Sequence, residues 1–480
     1  MPTTAVVWFR RDLRLHDHPA LDHAVRSYDT VVPLFVVDDG LLAGRWASAN
    51  RAWFLGRALA ALDADLRGRG SRLVVLRGDP RSLVPAFAAR IGAEAIVASR
   101  DYGPYGRARD AVTEAAAKDL GVRFSAGRGL LVHEPADLRS DDGRPYVVFS
   151  PFHRRWQALP IRPLVPAPDE MAWPAGLAGT TTSTPADVLG DPVPTAQPAF
   201  LLEPGEAAAR RRLATWADSD ALAQYDTGRD RLDLDGTSRL SQDLRWGTLS
   251  AVEVVERCPG DGPGPSRFRS EIAWRDFYAH LLWQEPRVAR SAWRPALEAV
   301  AWESDPALIE AWREGRTGYP VVDAAMRQLR ATGWMHNRAR MIVASFLTKH
   351  LGVDWRVGEA HFMEHLVDGD PASNNGGWQW AASTGTDAQP WFRIFNPTLQ
   401  GRRHDPDGDY VRRWVPELAD VPGEHVHEPS GGAYPAPIVD HSAARQRALA
   451  AYAGRAAGSR GPSGPRTTPG ARRPRGDEVS

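Results

Sequence analysis

The sequence predicts two folded parts of different class: an α/β N-terminal domain on a doubly wound, Rossmann-like parallel sheet, and an all-α C-terminal domain. Three observations predict this. Short apolar runs at Ala5–Phe9, Val31–Val37, Leu73–Leu76 and Ala95–Ala98 alternate with helical patterns at Asn50–Leu66, Ser82–Ile91 and Arg107–Leu120, the rhythm of a parallel sheet. From 134 to 203 the periodicity fades and proline thickens, as in Leu159-Pro-Ile-Arg-Pro-Leu-Val-Pro-Ala-Pro168, so this stretch reads as a crossover that keeps some helix at 146–156. Helical patterns take over after Pro204. The expected spans are 1–133, 134–203 and 204–453, followed by a Gly/Pro/Ser/Arg-rich, apolar-poor stretch at 454–480 that reads as a disordered tail.

Composition narrows the function classes. A chain of 480 residues with 43% apolar and 25% charged residues is an ordinary soluble globular protein with room for large cores. Formal net charge is zero, so any polyanion site must be a local patch. Lys118 and Lys349 are the only lysines, and the cationic side chains are otherwise arginine. Cys258 is the single cysteine, which excludes an intrachain disulfide, a cysteine-built zinc site and a cysteine-ligated iron–sulfur cluster. No signal peptide and no apolar run of membrane-spanning length are seen, so a cytoplasmic protein without membrane contact is expected.

The first strand exits into Arg10-Arg-Asp-Leu-Arg-Leu-His-Asp-His-Pro-Ala-Leu21, whose charges alone could be a solvated loop. Ligands of doubly wound sheets sit beyond the carboxyl ends of the strands. No Gly-x-Gly-x-x-Gly follows the first strand, which argues against a dinucleotide dehydrogenase.

In the helical half, Gly236-Thr-Ser-Arg-Leu-Ser241 places hydroxyls beside a helix start, a cradle for a pyrophosphate or equally an ordinary N-cap. Ser250-Ala-Val-Glu253 has the spacing of a capping box. Phe268–Glu285 reads as a helix on which Glu271, Trp274, Arg275 and Tyr278 share one face and Ala273, Phe277 and Leu281 the core face. A carboxylate, an indole and a guanidinium side by side fit a flat hydrogen-bonding ligand such as a flipped base, or a surface salt bridge beside a half-buried tryptophan. Gly333 ends one helix and Trp334–His350 starts another, with Asn337, Arg340 and Met341 on one side and Ile342, Val343 and Phe346 towards the core. Then comes Asp368-Gly-Asp-Pro-Ala-Ser-Asn-Asn-Gly-Gly-Trp-Gln-Trp380. Its glycines allow close approach of a partner, and its two amides suit a heterocycle edge. Trp378 and Trp380, two positions apart, are expected to serve different neighbours. Taken alone, the stretch is as readily a Gly/Asn loop with two core aromatics.

With Trp334-Met-His-Asn-Arg-Ala-Arg-Met341 before it and Phe392-Arg-Ile-Phe-Asn-Pro397 after it, this stretch closely resembles the photolyase/cryptochrome family, and most of all bacterial class I photolyases that split cyclobutane pyrimidine dimers. The resemblance runs from Val6 to about Trp414. It implies an antenna domain followed by a helical FAD-binding domain holding the flavin as FADH−. It assigns FAD contacts to Tyr225, Thr237, Ser238, Arg239, Leu240, Ser241, Phe268, Arg275, Arg340, Asp368, Gly369, Asp370 and Asn374, with Arg340 paired to Asp368 beside the reduced flavin and Asn374 facing N5. Gln242-Asp243 stands where many members have Pro-Tyr or Pro-His, a departure expected to touch the helix surface more than the cradle. Glu271, Trp274, Asn337 and Met341 are implied at the substrate pocket, and Trp378, Trp355 and Trp302 as an electron relay. DNA contacts are implied for Arg229, Trp274, Tyr278, Arg338, Trp380, Arg393 and Gln400. Asp101-Tyr-Gly-Pro-Tyr-Gly-Arg-Ala-Arg-Asp110, Arg51 and Arg245 (a lysine in the relatives that bind deazaflavin) suggest an antenna, 8-hydroxy-deazaflavin or methenyltetrahydrofolate.

The function so implied is light-driven repair of UV-damaged DNA by a monomer, acting on a flipped pyrimidine dimer in single- or double-stranded DNA. Two other readings stand beside it: a cryptochrome-like blue-light receptor without repair, and a dark flavin oxidoreductase. Glu271, Trp274, Met341 and Asn374 favour repair, and the missing nicotinamide fingerprint weakens the third.

Overall fold

The computed structural model describes residues 2–456 apart from 178–182, 261, 299, 388, 389 and 391. Five parallel strands, β1 (Thr4–Phe9), β2 (Thr30–Val37), β3 (Val74–Arg77), β4 (Ala95–Ser99) and β5 (Arg123–Gly127), form one sheet in the order β3-β2-β1-β4-β5. Because successive side chains point to opposite faces, each central strand feeds two cores. Ala5, Val7 and Phe9 of β1 join one core with Val31, Phe35 and Val37 of β2, while Val6 and Trp8 join the other with Val32, Leu34 and Val36. That two-sided burial is why these strands are legible as unbroken apolar runs.

Helices α1 (Pro19–Ser27), α2 (Ala49–Arg67), α3 (Pro80–Arg90) and α4 (Pro104–Asp119) cover the sheet. The last three agree with the expected segments. β5, α1 and a four-residue helix at Asp39–Leu42 were not expected. β5 reads Arg-Phe-Ser-Ala-Gly, partly exposed at the sheet edge, so it offers no apolar run. α1 starts at the end of the charged segment that follows β1; Pro19 sets its first turn and His18 Nδ1 accepts from Leu21 N–H at 3.1 Å.

The crossover keeps α5 (Phe149–Ala158), as its pattern suggested. The helical part that follows includes α6 (Glu206–Ala217), α7 (Ser241–Trp246), α8 (Ala251–Arg257), α9 (Pro263–Gln284), α10 (Pro320–Thr332), α11 (Asn337–Ser345), α12 (Trp355–His365), α13 (Pro371–Ala381), α14 (Pro397–His404) and α15 (His441–Ala456). Ala273, Phe277 and Leu281 of α9 are buried, as their spacing required. Gly333 closes α10 in the left-handed region, φ 65°. The expected helix at 334–350 is broken in two ways: His336 caps it, so it begins at Asn337, and its end widens into one π turn, Phe346–His350.

Ser250 does cap α8, but Glu253 turns to Arg210 at 2.8 Å, so only half of the expected capping box is recorded. α15 runs to Ala456, three residues into the stretch read as a tail, whose remainder lies outside the described residues. Among the described residues no helix is long and apolar enough to cross a membrane.

The two parts meet where the segment leaving β1 crosses the end of α7. Leu13 N–H donates to Trp246 O at 3.2 Å and Arg14 donates to Gly247 O at 3.1 Å. Gly247 has φ 65°, and a Cβ there would meet Arg11 O at 2.0 Å, so no side chain fits without moving backbone. Gly121 has φ 74° but open space around its Cβ position. Gly121→Ala should therefore cost about 1–2 kcal/mol, the conformational penalty alone. Gly247→Ala should cost clearly more, measured by urea unfolding of both variants; equal losses would mean that the junction yields.

Candidate functional site

A cavity of about 460 Å³ opens in the helical part. Helix α9 gives it Glu271, Trp274, Arg275 and Tyr278, the four residues that share a face by spacing. Helix α11 adds Asn337, Arg340 and Met341, again the expected three. The rest of the wall is Tyr225, Thr237, Ser238, Arg239, Leu240 and Ser241 on one side and Asp368, Gly369, Asp370, Asn374, Trp378 and Trp380 on the other. Segments far apart in the chain thus converge, and almost every flavin-contact residue expected from the sequence lies on one wall. Phe268 does not: it packs edge-on behind Tyr225, ring centroids 5.4 Å apart, and buttresses that residue instead.

The chemistry of the wall is specific. Arg340 pairs with Asp368 at 2.8 Å, placing a fixed cation at the cavity. Asn374 Nδ2 donates to Glu359 O at 3.0 Å, which leaves its side-chain oxygen as the free acceptor. Asn375 turns the other way, donating to Glu359 Oε1, so only one of the two amides serves the cavity. A Cβ at Gly377 would have no atom within 4 Å, whereas one at Gly376 would strike the ring of Tyr278 at 2.1 Å; Gly376 lets the two helices close and Gly377 leaves the cavity open. Trp378 and Trp380 both border the cavity but at different depths: Trp378 is buried with its ring edge-on to Phe362 and Trp312, and Trp380 is half-buried.

The cradle also differs from expectation. Arg239 takes φ 51°, and α7 starts without any side-chain cap. Gln242 and Asp243 are buried, not at the helix surface. Gln242 donates to Arg239 O at 2.7 Å and Asp243 pairs with Arg212 at 2.6 Å, so this departure from the family pattern fixes the cradle from beneath.

Of the residues expected to meet DNA, Trp274, Tyr278 and Trp380 line the cavity. Trp274 carries Phe149 stacked on it at 3.7 Å. Arg229 also lines the wall but is engaged with Glu271, and Arg338 pairs with Asp230 at 2.6 Å beyond it. Arg393 and Gln400 lie outside the wall, Arg393 exposed just before α14 and Gln400 within it. Trp355 is buried and Trp302 half-buried in the core that surrounds Trp378. Sequence reasoning missed Arg267, which lines the cavity one turn before Glu271 at 3.7 Å; its i, i+4 spacing was the available signal. It also missed Phe362 and Leu366, apolar lining residues with no signal beyond periodicity.

A second cavity, about 320 Å³, lies at the carboxyl ends of the strands, where doubly wound sheets bind ligands. Trp8, Arg10, Arg11, Asp38, Asp101, Tyr105 and Arg109 come from the α/β part and Arg245, Trp246, Arg275 and Asp370 from the helical part. Arg51, Asp101 and Arg245, expected together, are together. Burial lowers Arg51 to about 10, and burial with the nearby charge of Arg11 lowers Arg245 to about 9. Burial would raise Asp101, but Arg109, Arg11 and Arg10 outweigh it and hold the carboxyl low.

Residues 268–454 match the FAD binding domain of DNA photolyase, and residues 5–170 match DNA photolyase. A deoxyribodipyrimidine photo-lyase of Streptomyces griseus is 43% identical over 467 residues, 93% of this chain and 98% of that one. The chain belongs to the DNA photolyase family.

Among solved structures, a bacterial class III photolyase from Agrobacterium tumefaciens matches with a TM-score of 0.89 at 39% identity, covering 95% of this chain and 98% of that one. Its class differs from the class I members that the motifs resemble most; family membership is what both share. A cryptochrome from Synechocystis sp. PCC6803 matches at lower identity, 29%, with a TM-score of 0.85 over 94% of this chain and 99% of that one.

Photolyase membership puts FAD in the helical part, and the larger cavity fits it. Asp368 Oδ1, Arg239 Nε and Trp378 Nε1 are buried without a hydrogen-bond partner among the described residues, and all three belong to wall residues. Such groups are costly unless a ligand satisfies them. The smaller cavity has the same signature in Arg245, Trp46 and Trp246.

Between the cavities stands Asp370. It caps α13 through Ala372 and Ser373 N–H, both 3.0 Å, and pairs with Arg11 at 2.5 Å. Burial acts to raise its pKa, but Arg11 and Arg245 outweigh burial and hold it far below the ordinary range. A carboxyl so lowered stabilises the fold fully above its unfolded value, and that stability is lost as pH falls below about 4. Asp370→Asn should cost about 3 kcal/mol near neutrality, because it strands buried guanidinium groups. The gap from the parent chain should narrow as urea midpoints are followed down through that pH; a constant gap would assign the loss to packing.

Proposed function

We propose that this chain splits cyclobutane pyrimidine dimers in UV-damaged DNA by light-driven electron transfer, with FAD in the larger cavity, as a cytoplasmic monomer. The observation that carries the proposal is the convergence of Glu271, Trp274, Asn337, Met341 and Asn374 on one cavity wall. Reduced FAD bound there would supply the light-driven electron for ring opening, with no net redox change, while the residues of the wall hold and orient it.

The residues supply the setting. Arg340, fixed by Asp368, lays positive charge where an anionic reduced cofactor would sit. The free oxygen of Asn374 accepts from a ring N–H but has no proton to give, which favours holding the cofactor reduced. Arg229 and Arg267 keep Glu271 in place as an acceptor for a base N–H. Trp274 and Tyr278 offer apolar faces to the extruded bases, whose flipping costs less at a damaged site. Asn337 and Met341 complete that side of the pocket, while Arg338, Arg393, Gln400 and Trp380 are assigned to the DNA strand around it. Trp378, Trp355 and Trp302 are assigned to electron supply for keeping the cofactor reduced. Arg229 reaches DNA, if at all, only by giving up Glu271, so we assign it to positioning that carboxylate. The smaller cavity is assigned to an antenna chromophore, a deazaflavin or folate, whose acidic groups Arg245 and Arg51 would meet.

The test is repair of a thymine-dimer oligonucleotide by the reduced protein. Restoration only under near-UV or blue light supports the proposal. Flavin photoreduction without restoration would select a photoreceptor, and light-independent NAD(P)H turnover an oxidoreductase. Trp274→Ala should weaken dimer binding by about 1–3 kcal/mol, roughly five- to 150-fold, while leaving the flavin spectrum unchanged. For the antenna, purified protein should show an absorption band beyond that of the flavin, and Arg245→Gln should diminish it; a spectrum of flavin alone would remove that assignment.

A further inference from the structure

The last turn of α12 carries His361, Glu364 and His365, and none of the three lines the larger or the smaller cavity. Their spacing, i, i+3 and i+4, puts all three on one helical face. One ligand-type atom from each lies within 4.8 Å of the others. The two imidazole rings are 4.3 Å apart between centroids.

What marks the cluster is that each of the three keeps a ligand-type atom unspent on the others or on neighbours. His361 is 8% exposed, and no hydrogen bond or ion pair of its ring is recorded among the described residues. Its ring rests 5.3 Å from that of Trp312, which keeps it from turning outward. His365 uses Nδ1 on the carbonyl of His361 at 3.0 Å, which fixes its tautomer and leaves Nε2 as the ligand atom. Glu364, exposed at the rim, forms no recorded ion pair with either histidine. The neighbouring cation, Arg313, is itself paired with Glu310 at 3.6 Å.

We propose that His361, Glu364 and His365 form a binding site for a borderline divalent transition metal of the zinc, nickel or copper type. Two imidazoles and one carboxylate are the donor set such ions take, with a water in the open position; magnesium and calcium, which prefer all-oxygen shells, are excluded. The place matters to the rest of the molecule. Phe362 and Leu366 line the larger cavity, Met363 lines the smaller one, and the carbonyls of His365 and Leu366 accept from Asn50 at 2.6 Å and Arg51 at 2.9 Å. A metal here would lock the turn from which both cavities are built.

The test uses the full-length, flavin-loaded protein and zinc chloride in a titration calorimeter. One equivalent should bind, and His365→Gln and Glu364→Gln, both away from the packed side of the turn, should each weaken binding by about tenfold or more. His361→Ala should abolish it, provided that the variant's circular dichroism matches the parent chain. Copper(II) in place of zinc should give an electron paramagnetic resonance spectrum with splitting from two imidazole nitrogens, reduced to one in His365→Gln. Absence of zinc binding up to millimolar concentration, or binding and splitting unchanged in His365→Gln, would overturn the proposal.

Discussion

The structure depends on how arginine side chains grip the short segment Asp368-Gly369-Asp370. Arg340 holds Asp368 from the helical side at 2.8 Å, and Arg11 holds Asp370 from the sheet side at 2.5 Å. Arg245 donates to Gly369 O at 2.8 Å, and Arg51 to Leu366 O just before. Isolated buried charges of this kind cost several kcal/mol each, so the arrangement persists only because each has an opposite charge or a carbonyl within reach. Its consequence is geometric. Asp370 and Gly369 lie on the wall of the larger cavity and Asp370 also on that of the smaller one, so a single three-residue segment sets the position of each site relative to the other.

That constraint explains features that would otherwise look unrelated. A Cβ at Gly369 would come within 2.6 Å of the Arg51 guanidinium, so Arg51 would have to shift from its hold on Leu366 O. Asp370 spends one oxygen on capping α13 and the other on Arg11, so the helix bearing Asn374, Gly377 and Trp378 starts at a point fixed by the α/β part. Under the proposed function, light collection in one cavity and electron chemistry in the other would both depend on separation and orientation. A rigid ionic link suits that need better than an apolar contact, which is tolerant of sliding.

Much of this was legible in the sequence, for reasons that differ by element. The central strands β1, β2 and β4 declared themselves because both of their faces are buried, and the edge strand β3 by its apolar run Leu73–Leu76. Helix α9 declared its ligand face because Glu271, Trp274, Arg275 and Tyr278 are too polar for a core and too aromatic for open solvent. β5 was not legible, since an edge strand with one large apolar residue has no pattern to show. Gln242 and Asp243 were misjudged because charge and amide groups are normally surface residues; only Arg212 and the carbonyl of Arg239, distant or irregular in the chain, reveal their burial. The π turn after α11 left no mark, because backbone widening does not alter side-chain periodicity enough to be read.

The charge arrangement at the mouth of the larger cavity carries one further consequence. Arg338 pairs with Asp230, Asp230 lies 3.5 Å from Arg229, and Arg229 engages Glu271 on the wall. The four groups alternate in sign from rim to pocket. Under the proposed function, a phosphate drawing on Arg338 would compete with Asp230, and Asp230 would then turn more fully to Arg229. Arg229 would in turn share less of its charge with Glu271, leaving that carboxylate freer to accept from a base. Binding of a strand at the rim and readiness of the acceptor inside would then be coupled through ion pairs already present.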